Sequence, residues 1–144
     1  MAQKQWSKSD IKAFLETHSY AEHLMDKKTP VAEDDGILLI KGKPSFFSVD
    51  DEWVPTLHLL LENTDLLPKV VVDKGAIKFV VNGADIMRPG IVAADQWSEV
   101  GQIVVIVDET VGKPIAVGRS LLSSADLLAE SSGKHIQNLH RIGD

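Results

Sequence analysis

Apolar positions near the start of the chain recur at helical spacing. Ile11, Phe14, Leu15, Ala21, Leu24 and Met25, with His18 among them, predict a helix over residues 7–28. Ser7 with Asp10 suits a capping pair, and the pattern breaks near Ser19-Tyr20. Thr29-Pro30 and the acidic run Glu33-Asp34-Asp35-Gly36 read as loop. Two strands follow, residues 37–40 and 45–49, joined as a hairpin by Lys41-Gly42-Lys43-Pro44. Phe46 and Phe47 are neighbours on the second strand, so one faces in and the other out. Asp50-Asp51-Glu52 is a polar break. Pro55 suits the first turn of a helix whose apolar face is Leu57, Leu60 and Leu61, with Trp53 stapling its start.

Leu67-Pro68 marks a boundary between two modules, residues 1–67 and 68–144. Beyond it, residues 70–72 read as a short buried strand and residues 73–82 as a helix. Asp73 is its expected cap and Gly83 its expected stop. Strand 84–87 follows at once, and Arg88-Pro89-Gly90 turns the chain. The β-branched run 101–108 predicts a central strand, paired through a turn at 109–113 with strand 114–122. A short helix over 124–131, capped by Ser123 or Ser124, and a strand over 136–142 complete the chain. So many short strands in so few residues suggest a small barrel.

Composition narrows the function. With 44% hydrophobic and 25% charged residues, the chain has the balance of a globular protein. No apolar run approaches the roughly 18 residues of a membrane span, and the polar start lacks a signal-peptide core. The absence of cysteine excludes disulfides, thiolate metal sites and cysteine nucleophiles, so a cytoplasmic location is expected. Net charge is −6, with 8 basic and 12 acidic residues in 1–72 and 7 and 9 in 73–144. Neither half binds nucleic acid by bulk charge, although a local basic patch would suffice.

Catalytic signals are missing. His18 and His23 lack the spacing of a helical metal pair, and His58, His135 and His140 suit structural or surface roles. No G-x-S-x-G or Walker motif occurs. Neither a metal, a cofactor nor an enzymatic activity is expected. Trp97, in the polar segment AADQWSEV, is a candidate exposed contact.

The stretch VVDKGAIKFVVNGADIMRPGI, residues 71–91, resembles the PUA domain, named for pseudouridine synthase and archaeosine transglycosylase. AVGRSLLSSADL, residues 116–127, resembles that family's later strand and short helix, and HIQNLHRIGD, residues 135–144, its closing strand. Residues 37–79, above all PTLHLL and DKGAIKF, resemble the pre-PUA domain of one subfamily. This is the malignant-T-cell-amplified-sequence and ligatin group of translation factors, with archaeal relatives. The resemblance implies an α+β protein: an N-terminal pre-PUA α/β domain and a C-terminal PUA β pseudo-barrel. It implies non-catalytic binding of structured RNA, ribosomal or transfer, in translation. The small ribosomal subunit and a translation-factor protein are the further partners it suggests. Two other readings stay open, an accessory module that presents RNA to a modification enzyme and a protein-interaction adaptor.

The residues that map to the family's RNA groove are Lys74, Gly75, Lys78, Gly83, Ala84, Arg88 and Arg141. Their chemistry suits the task. Gly83 and Ala84 have little side chain, so a sugar-phosphate could approach and bond to the backbone. Lys74 and Lys78 lie four apart on one helical face. Arg88 and Arg119 could make forked contacts to phosphate.

Overall fold

The computed structural model describes residues 3–141; Ile142, expected in the last strand, and the closing Gly143-Asp144 lie outside the described residues. The chain divides into two compact units, Met1–Leu59 and Leu60–Asp144, at a point inside helix α2 (Leu57–Glu62).

The first unit is an antiparallel sheet with one helix packed on it. Its strands are β1 (Lys4–Gln5), β2 (Val31–Asp34), β3 (Ile37–Ile40), β4 (Lys43–Val49) and β5 (Glu52–Pro55), in that order across the sheet. From β2 onward each strand is joined to the next by two residues: Asp35-Gly36, Lys41-Gly42 and Asp50-Asp51. All six of these residues have positive φ, as type I′ hairpin turns require. Helix α1 (Lys8–Thr17) starts in a full capping box, in which Ser7 Oγ accepts from Asp10 N–H and Asp10 Oδ2 accepts from Ser7 N–H. The second of these bonds holds the Asp10 carboxyl below its usual pKa. Ile11 and Phe14 bury one face of the helix against Val31, Leu38, Ile40 and Phe46.

Several expectations in this unit need correction. The helix ends at Thr17, and a single 3₁₀ turn (Ser19–Ala21) follows where the pattern breaks. His18 halts it: Nε2 lies 2.9 Å from the Trp53 carbonyl and the ring stacks on Phe14. Glu33 and Asp34 belong to β2, where their backbone pairs with Leu38 and Ile37 while the side chains stay half exposed. Glu52–Pro55 is a strand, so Pro55 does not open a helix. At the edge of the sheet its missing N–H costs no ladder bond. Trp53 therefore packs edge-on to Trp6 rather than stapling α2. Phe46 is buried and Phe47 half buried, as alternation requires.

The second unit holds a six-stranded sheet ordered β7-β11-β10-β9-β6-β8. These strands are β6 (Lys69–Val72), β7 (Ile86–Met87), β8 (Ile91–Ala94), β9 (Ile103–Asp108), β10 (Pro114–Ser120) and β11 (Lys134–Arg141). β6 runs parallel to β9 and all other pairs are antiparallel. The two outer strands, β7 and β8, are separated in the chain only by the 3₁₀ turn Arg88–Gly90. So short a link forces the sheet to curl until its edges nearly meet, which makes a nearly closed barrel. The barrel core gathers Val70, Val72, Val104, Ile106, Ala116 and Ile136 with Val80 from helix α3 (Lys74–Val81) and Leu127 from helix α4 (Ser124–Ala129).

Sequence periodicity missed β1, which is two residues long, and β8, whose run Ile91-Val92-Ala93-Ala94 does not alternate apolar with polar residues. Trp97 is buried rather than exposed. Its indole N–H donates to the Leu122 carbonyl at 2.8 Å and its backbone N–H to Ser124 Oγ at 2.9 Å.

Candidate nucleic-acid interface

Helix α3 carries the site. Asp73 caps it, with Oδ1 accepting from Ala76 N–H at 2.9 Å, and Glu109 Oε1 accepts from Lys74 N–H at 3.1 Å. Two carboxylates thus occupy donors that an anion would otherwise use. Lys74 and Gly75 sit at this acid-capped end, one turn before Lys78.

The other end closes in a Schellman motif. Gly83 has φ +93°, the left-handed geometry expected of it. Its N–H donates to the Val80 carbonyl at 3.0 Å, and Ala84 N–H donates to Phe79 at 3.0 Å. Asn82 N–H also turns back to Phe79, at 3.2 Å. The amides of the α3–β7 loop are therefore committed to the helix. The Gly83 and Ala84 N–H groups are thus turned to the helix, and the backbone atoms left for a sugar-phosphate are others. Side chains must supply the charge. The nearest is Arg141: a Cβ at Gly83 would lie 3.1 Å from its guanidinium carbon. The fold thus brings together a loop and a strand end 58 residues apart.

Beside the loop lies a groove of about 440 Å³. Ala76, Phe79, Ala84, Ile86 and Met87 give it an apolar wall, and Lys134 and Asp85 stand at it as an ion pair at 3.5 Å. Phe79 is 58% exposed and Met87 50% exposed, which is unusual for large apolar side chains with a core nearby. Lys78 Nζ stands 5.2 Å from the centre of the Phe79 ring, in cation–π range.

Of the eight residues the sequence singled out, Ala84 lines this groove, Gly83 and Arg141 adjoin one another at its loop, and Lys78 is tied to it through Phe79. Arg88 is engaged elsewhere. Its guanidinium donates to the carbonyls of Glu130 (2.9 Å), Ile91 (3.0 Å) and Leu128 (3.5 Å), so it pins the turn between the barrel's edges. Arg119 lies on β10 opposite Gln137. Phe79, Met87 and Lys134 were missed. Their only sequence signal is an apolar residue on the polar side of α3, beside Lys78. Among the described residues, no three His, Asp or Glu side chains cluster as a metal site would require. No helix among them is long and apolar enough to cross a membrane.

Residues 68–143 match the PUA domain family. The chain belongs to the PUA-domain family. Its relatives place it further. It is 32% identical to translation machinery-associated protein 20 of Saccharomyces cerevisiae, over 93% of this chain and 80% of that protein. It is 34% identical to malignant T-cell-amplified sequence 1 of Rattus norvegicus, over 93% and 79%. The fold matches the crystal structure of a hypothetical protein from Pyrococcus horikoshii with a TM-score of 0.85 and 32% identity, covering 99% of this chain and 96% of that one. The barrel described above is thus a PUA domain, and the similarity extends through the preceding unit.

Proposed function

We propose that this PUA-domain protein binds structured RNA, ribosomal or transfer, without catalysis, as a cytoplasmic component of translation. The observation that carries the reading is the α3 groove. It combines an exposed aromatic wall with three cations from two elements: Lys78 on α3, and Lys134 and Arg141 at the two ends of β11. A flat apolar wall suits an unpaired base, and flanking cations suit its phosphates. RNA is favoured over bulk electrostatic binding because the net charge is −6. The name of the yeast relative, translation machinery-associated protein 20, supports a role in translation.

In this proposal Lys78, Gly83, Ala84 and Arg141 form the centre of the RNA face, with Phe79, Met87 and Lys134 added. Lys74, Gly75 and Arg119 belong to its margins, and Arg88 contributes by holding the turn. The start of the family match at residue 68 supports a domain boundary at Leu67-Pro68. Crosslinking in cells with sequencing of the attached RNA tests the reading. Recovery of one ribosomal or transfer RNA is expected. Recovery only together with a modification enzyme would favour the accessory module, and a nuclease-insensitive protein complex without RNA the adaptor.

A further inference from the structure

One residue of β11, Asn138, ties the α3–β7 loop to that strand at three points. Its side-chain Nδ2 donates to the Val80 carbonyl at 2.9 Å and to the Ala84 carbonyl at 3.0 Å, and its backbone N–H donates to Asp85 Oδ1 at 2.9 Å. The β7–β11 ladder stops at the Ile86–Ile136 pair, so these bonds extend it past its end. Geometry alone would make Asn138 a fold residue. Electrostatics gives it more to do. The C-terminus of a helix is the negative end of its dipole, and carbonyls there repel phosphate. Asn138 places one amide hydrogen on such a carbonyl, that of Val80, and the other on the Ala84 carbonyl just past the helix end, one on each side of Gly83, which adjoins the Arg141 guanidinium.

We infer that Asn138 is a positioning residue for RNA binding: it fixes the Gly83 loop and masks the carbonyls that a phosphate would meet. This rests on the RNA reading above. Asn138→Asp has the same shape but presents a carboxylate, which cannot donate to Val80 and Ala84. Protonation returns one donor. The probe is a synthetic RNA hairpin with a single-stranded 3′ extension, titrated against wild type, Asn138→Asp and Asn138→Ala at several pH and salt values.

At neutral pH, Asn138→Asp is expected to bind about tenfold more weakly, the loss of two hydrogen bonds. The gap to wild type should narrow as pH falls through the carboxylate range. Asn138→Ala should weaken binding with no change in salt slope, because no cation is removed. In both variants amide exchange at Gly83 and Ala84 should speed up, while Val104–Ile106 in the core stay protected. Binding equal to wild type despite faster loop exchange would overturn the inference and leave the RNA reading standing. Loss of binding with equally faster exchange in the core would reduce Asn138 to a fold residue. Failure of the wild type to bind the probe, when crosslinking also recovers no RNA, would remove both.

Discussion

Both units place glycine at positive-φ turns, Gly101, Gly112 and Gly133 among them in the second, but only the second also uses glycine for room. In the first, Gly36 and Gly42 have positive φ, and a Cβ at either would meet nothing within 4 Å. These residues serve turn geometry alone. In the second, Gly118 and Gly90 do not need glycine for their φ but for room. A Cβ at Gly118 would collide with Ile136 Cγ2 and lie 2.9 Å from the Gln137 carbonyl, and one at Gly90 would lie 2.9 Å from Ala76 Cβ. Gly83 needs both, because its φ is positive and Arg141 fills the space beside it. The turns of the meander need only the right backbone geometry, whereas the barrel adds a second demand, close contact between elements distant in the chain. The proposed RNA face lies where both demands fall on one residue.

The largest effect should come from Gly118→Ala. Overpacking against β11 is expected to destabilise by about 2–3 kcal/mol, read as a lower denaturant midpoint at unchanged slope. Gly42→Ala, which meets only the left-handed penalty, should cost about 1 kcal/mol. Equal losses would erase the distinction.

Gly83→Val comes next. It should destabilise by about 1 kcal/mol or more. It should also displace Arg141 and weaken RNA binding beyond what the stability loss explains. An affinity equal to wild type would detach the RNA face from this loop.

Charge offers a finer comparison. Replacing Lys74 and Lys78 together by alanine should weaken RNA binding and flatten a log–log salt slope expected at roughly −2 to −3 for about three released counterions. Most of the loss should follow Lys78, since Lys74 stands at the acid-capped end of α3. Lys41 and Lys43 in the first unit are the matched pair expected to have little effect. Similar losses from both pairs would mean diffuse electrostatics.

The smallest effect is confined to the first unit. Burial, and then the Glu52 carboxylate, raise the pKa of Tyr20 well above the usual tyrosine range. The folded state favours the neutral phenol. Its contribution to stability is complete below the unfolded pKa of about 10 and is lost as pH rises through the folded value. Tyr20 is the only tyrosine, so an absorbance titration reads it directly. Ionisation at the ordinary value would contradict its burial.

Much of this was legible in local sequence. Lys41-Gly42, Asp73 and Gly83 carry their turn or cap within a few residues, and all three behave as read. What was illegible has distant causes. Glu52 looked like part of a polar break and Pro55 like the start of a helix, because their partner, β4, and not their own composition makes Glu52–Pro55 a strand. Arg88 looked available because its acceptors, Leu128 and Glu130, lie 40 and 42 residues away. Phe79 went unnoticed, since nothing in an apolar helix shows which face the barrel leaves uncovered. The PUA resemblance singled out α3, but it did not show that the amides of Gly83 and Ala84 were already used.

The order of strands also sets an order in time. Among the described residues β7 has β11 as its sole neighbour in the sheet, and the Gly83 loop is clamped by a residue of that same strand. A chain synthesised from its N-terminus can close the hairpins of the first unit as they emerge, since each joins adjacent segments. The groove cannot follow until residues 134–141 have left the ribosome. A nascent chain therefore folds its first unit before it can form the barrel and the proposed RNA face, which withholds binding until β11 has emerged.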